Sequence, residues 1–310
     1  MAKKKDKDLR NYIEPLNMNG LRGRVLMAPA PSRRKNRHIL LVYGHHASLE
    51  RMLGFAEELN KYGPVTMPDL PGFGGMESFY KIGEKPTIDT LADYLAAFIK
   101  MRYKNRRVSI IAMSFGFVVV TRMLQRCPDL AKKVDVLVSV VGFVHHEDFK
   151  LKPPTKFLLK TGAAVIKRRF PAIFTRYVLF SRPVIYMTYL LNGDRNVKMA
   201  DSNFKEKMRR INFEVDLWQS NDVRTYAHTG YDMLTVDLCS QRKQINTTVY
   251  HVKVTDDRYF DNNIVEQHLN VIYSDVEILK TKLKGHAPTV IGEANEAAPF
   301  IPRKLRSILK

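Results

Sequence analysis

Ser114 is the residue whose type and setting most readily suggest chemistry. It stands in "AMSFG", between the apolar runs "RVSIIAM" (107–113) and "FGFVVVTRMLQRC" (115–127). The first run reads as a buried strand and the second as a helix, so the serine falls on the turn between them. A tight strand–Ser–helix turn strains the backbone and lifts the hydroxyl above the sheet edge. The residues two before and two after must then be small, because strand and helix pass close to them; Ala112 and Gly116 meet that demand. The next amide, at Phe115, opens the helix and can donate to an oxyanion developing on an attacked carbonyl. Nucleophilic acyl chemistry is one reading of the pattern. A serine that merely caps the helix is the other.

Histidine pairs at 45–46 and 145–146 fall near strand ends. Adjacent histidines point different ways along a backbone, and no cysteine or carboxylate completes a ligand spacing. No metal site is therefore expected, and His45 or His146 lining a substrate pocket is the simpler reading. Asp69, in "MPDLPGFGG", reads as a residue that fixes a turn by accepting from backbone amides, and is left out of the catalytic set. Cys127 and Cys239 form neither a metal pair nor a disulfide framework, which fits a reducing compartment.

Positioning such residues requires a rigid frame. Strands are expected at 23–30, 38–44, from 64, at 107–113 and at 134–142. Helices are expected at 48–63, at 87–105 with Thr87 as cap, and at 115–127. This alternation implies an α/β fold: a mostly parallel central sheet with helices on both faces. From about residue 150 the strands stop and helical spacing continues to about 235. A strand returns at 246–254, followed by a helix (263–273), a strand (275–283) and a last helix after Ala287. The expected organisation is a basic lead-in (1–22), a core (23–150 and 245–298), an inserted helical cap (151–244) and a basic tail (299–310).

Five segments, in this order, resemble the α/β-hydrolase fold family, over about residues 23–150 and 245–298. "HILLVYGHHAS" is similar to its strand ending in His-Gly, with Tyr43-Gly44 in that place. "VTMPDLPGFGGMES" resembles its Pro-Asp-x-x-Gly-x-Gly-x-Ser loop, "IIAMSFGF" its nucleophile elbow, "VKVTDDRYFD" its acid-bearing strand end, and "KGHAPTV" its Gly-His loop. The resemblance implies a triad in chain order: Ser114 as nucleophile, Asp257 as acid, His286 as base and then acid. Asp256 is the alternative acid, and Asp261 a weaker third. The implied oxyanion hole uses the backbone amides of His45 and Phe115. Two positions depart from the pattern, Ala112 for glycine and Tyr43 for histidine; both bear on packing more than on chemistry.

The chain has 310 residues, 45% apolar, and a formal net charge of +20. Such charge suits anionic surroundings without choosing among nucleic acid, acidic lipid and acidic partners. No nucleic-acid motif is present, so that partner is not expected. "MAKKKDKDLRNYIEP" lacks an apolar run behind it, and no segment approaches the roughly 18 apolar residues of a spanning helix. The protein is expected in the cytoplasm, or at most at the periphery of a membrane.

In the insertion, Lys156, Lys160 and Lys167 share one helical face and Leu158 and Val165 another. Lys167-Arg168-Arg169 adds a basic cluster, and Phe170, Phe174, Tyr177 and Phe180 add aromatics. The simpler reading is an amphipathic lid helix whose apolar side covers the core; the alternative is a surface for an anionic membrane. Altogether the resemblance implies a serine hydrolase without cofactors, cleaving an ester or related acyl bond, and the Phe, Tyr, Met and Leu content of the insertion predicts an apolar small-molecule substrate. The competing reading is a non-catalytic protein that binds anionic lipid or a partner through its basic cap.

Overall fold

In the computed structural model, residues 8–32, 37–192, 204–241, 244–281 and 293–310 are described. Among these described residues eight strands form one sheet: β1 (Ile13–Met18), β2 (Leu21–Ala28), β3 (Ile39–Val42), β4 (Val65–Pro68), β5 (Val108–Met113), β6 (Val134–Val140), β7 (Ile245–Lys253) and β8 (Tyr273–Lys280). Their order is β1-β2-β4-β3-β5-β6-β7-β8. β1 and β2 run antiparallel to their neighbours, and the other six strands pair in parallel. Every residue of β3, β4 and β5 is buried, as their near-continuous apolar runs require of strands covered on both faces.

The helices of the first half are α1 (Leu53–Asn60), α2 (Ile88–Tyr103), α3 (Phe115–Arg126) and α4 (Pro128–Ala131). Thr87 caps α2 through a reciprocal pair with Thr90: each side chain accepts from the other's backbone N–H. Between β6 and β7 lie α5 (Pro153–Ile166), α6 (Arg169–Phe174), a π-turn (Thr175–Leu179), α7 (Arg182–Asn192), α8 (Phe204–Ser220) and α9 (Val223–Met233). The chain closes with α10 (Asn262–Ile272), α11 (Ala294–Ala297) and α12 (Arg303–Leu309). α2 packs on α3 and α1 on α11. A small apolar cluster of Ile185, Ile211 and Val215 joins α7 to α8, separate from the main core.

Two expectations fail at the ends. Residues 13–18, expected within a loose lead-in, form edge strand β1, with Leu16 and Met18 buried. Pro15 hides this strand in the sequence, yet an edge tolerates the missing N–H. Residues 303–309, expected in a basic tail, form α12. Its Leu305 and Leu309 are buried four residues apart, and Arg306 donates to the carbonyls of Ala298 and Ile301.

Candidate active site

Ser114 occupies the sharp corner between β5 and α3 at φ 49° and ψ −121°, a left-handed backbone that costs a non-glycine residue energy. Its N–H donates to Val140 O at 3.0 Å, fastening the corner to the end of β6. The neighbouring strand end presses close. A Cβ on Gly44 would lie 3.1 Å from Ser114 Cβ, and one on Gly116 would lie 2.7 Å from Val42 O and collide with Tyr43 O. The demand for small residues is thus strictest at Gly116; Ala112 is fully buried with its methyl accommodated. As the first residue of α3, Phe115 has an amide with no carbonyl a turn earlier in the helix to receive it. His45 follows Gly44 directly, so both expected oxyanion donors flank Ser114 along the chain or across the strand gap. The chain leaves β3 toward β4 on one side and leaves β5 toward β6 on the other, which opens a crevice between the C-terminal ends of β3 and β5. That crevice is where open α/β sheets bind ligands.

The His45 side chain faces the insertion. Its Nε2 lies 2.9 Å from Thr229 Oγ1 and 3.3 Å from Tyr226 O on α9. Since a carbonyl only accepts, Nε2 carries the hydrogen. Burial, with His46 beside it, pushes the imidazole pKa down to about 3, so the ring stays neutral and acts as a pin between the loop and α9. His46, at φ 54°, packs its ring at a 42° tilt against Trp218 with centroids 4.0 Å apart, and its Nε2 lies 3.5 Å from Glu214 Oε2. Glu214, fully buried on α8, also lies 3.4 Å from Arg51 Nη2 and accepts from Tyr189 Oη at 3.2 Å. Sequence reasoning missed this cluster. Its signal was a carboxylate three residues after Ile211 and beside Val215, on an otherwise apolar stripe.

The Gly-rich loop is held from two sides. Asp69 is fully buried; its Oδ1 accepts from Tyr43 Oη at 3.0 Å and its Oδ2 from Arg24 Nε at 3.0 Å. Burial raises its carboxyl to about 7 against the pull of Arg24. Asp69 therefore fixes the turn through side chains, whereas amide acceptance was expected. Tyr43 Oη in turn accepts from Leu70 N at 2.6 Å. From above, the α8–α9 link docks on the loop: Gly74 N donates to Asn221 Oδ1, Gly75 N to Ser220 O, and Asp222 N to Gly72 O.

At the end of β7 the two acid candidates separate. Asp256 is exposed; Asp257 is buried. Asp257 Oδ1 accepts from the amides of Tyr259 (2.8 Å) and Phe260 (3.1 Å), and Phe260 stacks on Phe143 beyond β6. Asp261 caps α10, accepting from Asn263 N and Ile264 N. Ser114, the His45 loop and Asp257 all follow the C-terminal ends of parallel strands, along one edge of the sheet. His286, the expected base, lies outside the described residues.

The second histidine pair has other company. His145 lies between His146 and His268, each ring centroid 4.3 Å away, and His268 Nδ1 meets the fully buried Asp148 at 2.6 Å. His146 Nδ1 is 2.9 Å from Lys156 Nζ. Among the described residues, His145, Glu147 and His268 each offer a ligand atom within 4.8 Å of the others and could hold a metal ion. Glu147 is largely exposed, and His45 and His46 are not part of this group.

No family model and no curated protein matches the sequence. Solved structures match along nearly the whole chain. A bacterial membrane phospholipase A described as a virulence factor has TM-score 0.67 at 16% identity, over 96% of this chain and 85% of its own. A lipase-like protein from Acinetobacter baumannii has TM-score 0.67 at 15% identity, over 96% and 93%. A thermophilic esterase from Thermogutta terrifontis has TM-score 0.63 at 16% identity, over 96% and 98%.

Proposed function

Because the chain has the α/β-hydrolase fold, we propose that it is a serine hydrolase that cleaves an ester or related acyl bond of an apolar small molecule. The observation that carries this reading is the left-handed Ser114 on the β5–α3 corner, with Gly44 pressed against it. A serine that only capped α3 would have no need of that backbone, and no amide of the first turn of α3 donates to its side chain as a cap. The hydrolase neighbours add support at the level of reaction class.

In this reading Ser114 Oγ attacks the carbonyl carbon and gives its proton to His286. The amides of Phe115 and His45 receive the negative oxygen. The leaving alkoxide then takes the proton from the imidazolium, and an acyl-serine remains. Water, losing a proton to His286, attacks that ester; the acid departs and Ser114 recovers its proton. Asp257 is the fitter acid, because a buried carboxylate fixed by two amides can hold an imidazole in one tautomer. The helices between β6 and β7 act as a cap over this edge and select the substrate.

The test is labelling by a fluorophosphonate probe together with hydrolysis of short p-nitrophenyl esters. Both should be present in the wild type and absent in Ser114→Ala. A folded wild type that neither labels nor turns over ester would overturn the proposal and favour a purely binding protein.

A further inference from the structure

An amphipathic helix on a soluble protein turns its apolar face inward. α5 does the reverse. Lys156 Nζ donates to His146 O at 3.0 Å, and Lys160 and Lys167 stand over the Tyr231 ring of α9, 5.7 and 3.8 Å from its centroid. The lysine face is thus the packed one. Phe157 and Leu158 point away, 73% and 70% exposed, and no residue of α5 is buried. The same outward display continues through the next elements. Phe170 is 82% exposed and Tyr177 76%, with Phe174, Val178 and Leu179 on the π-turn side and Leu191 at the end of α7. Soluble monomers seldom leave so many large apolar side chains together in water.

The charge around this face selects its occupant. Residues 151–192 contain eight Lys and Arg and no Asp or Glu; Lys156, Lys160 and Lys167 lie on the packed side, and Arg182 pairs with Asp216 of α8 at 2.7 Å. Lys152, Arg168 and Arg169 are exposed, the latter two immediately before Phe170. We propose that this face, from α5 through α7, docks the protein on an anionic lipid bilayer, with the aromatic and aliphatic side chains in the acyl boundary and the arginines among the headgroups. A second copy of the chain fits poorly, because a two-fold contact would set these acid-free basic faces against each other. Among the described residues no helix is long and apolar enough to cross a membrane, so the mode is lying on the surface. The insertion also grips His45 and the Gly72–Gly75 loop, which brings the candidate site to the bilayer. That the acyl substrate is itself a lipid rests on the hydrolase reading; the docking does not.

The experiment is co-sedimentation of the full chain with vesicles of phosphatidylcholine alone or mixed with phosphatidylglycerol. Binding to the mixed vesicles is expected, unchanged in Ser114→Ala. The triple variant Phe157→Ser, Phe170→Ser, Tyr177→Ser should lose it by at least tenfold, and so should Arg168→Glu with Arg169→Glu. All five positions are exposed, so circular dichroism should show an unaltered fold. Absence of binding to the mixed vesicles would overturn the proposal. So would binding indifferent to either variant, or a concentration-dependent dimer that the triple variant abolishes, which would make a second copy the occupant.

Discussion

Replacing Glu214 by glutamine should lower the stability of the protein by about 3–5 kcal/mol, the loss typical of breaking a buried ion pair from one side. The carboxylate has no exposed surface and lies 3.4 Å from Arg51 Nη2, whose side chain is only 10% exposed. At that distance, with an effective dielectric constant of about 20, the attraction is roughly 5 kcal/mol. Most of it offsets the cost of drying the two ions, so the intact pair adds little net stability. The glutamine variant removes the attraction and keeps the dried guanidinium. Arg51 also donates to His46 O at 3.2 Å, so the disturbance reaches the loop that carries the His45 amide. Urea titration of the wild type, Glu214→Gln, and the double variant Arg51→Met with Glu214→Leu would measure these terms. The double variant, with neither charge, should lose less than Glu214→Gln alone, and the single variant should label more slowly with fluorophosphonate at temperatures where it is folded. A single variant within about 0.5 kcal/mol of wild type, or a double variant that loses as much as Glu214→Gln or more, would overturn this account.

Three further outcomes are expected. Gly116→Ala would drive a methyl into Tyr43 O and Val42 O, costing about 1–3 kcal/mol in thermal or urea unfolding and slowing probe labelling; a variant that labels normally would show that the corner is not held this tightly. Asp257→Asn should reduce ester hydrolysis by about 10⁴-fold while Asp256→Asn changes it little, and the opposite ranking would reassign the acid. His251, buried on β7 with Nδ1 2.9 Å from Ser139 Oγ, has its pKa pushed down to about 4 by burial. The unfolded chain therefore binds a proton at this position before the folded one does. Its contribution, roughly 3 kcal/mol, is fully present above about pH 6.5 and is lost as pH falls toward 4. His251→Gln should flatten the decline of urea midpoints across that window, and an unchanged slope would sink the assignment.

The frame of the site was legible because its physics is local. β3, β5 and β6 announce themselves as short apolar runs, and the corner at Ser114 by small residues on either side of it. The resemblance favoured Asp257 over Asp256 by a one-residue alignment, and no physical signal in the sequence stood behind it, since burial at a strand end depends on what packs there, here Phe143 and Phe260. α5 was legible as two-faced but not as inverted. Periodicity shows that a helix has two faces; Tyr231 and His146, far along the chain, decide which one turns inward. β1 and α12 were hidden by Pro15 and by a run of bases whose leucines carry the packing. The contact between Asp148 and His268 spans 120 positions, and no spacing rule reaches that far.

β6 and β7 are neighbours in the sheet, with Leu137 beside Val249, yet 104 residues separate Val140 from Ile245. The entropy of closing such an excursion grows only with the logarithm of its length, about 0.6 kcal/mol per doubling. Lengthening or shortening the excursion would thus change the cost of closing it very little; what the sheet draws from this stretch is packing, through Phe143, Val144, Val236 and Leu238 in the core. The penalty falls on speed instead. β7 must find β6 across a long unformed chain, and distant pairings of this kind slow folding. A newly made molecule therefore spends its most vulnerable interval with the edge of β6 open, before β7, which leads to Asp257, arrives to cover it.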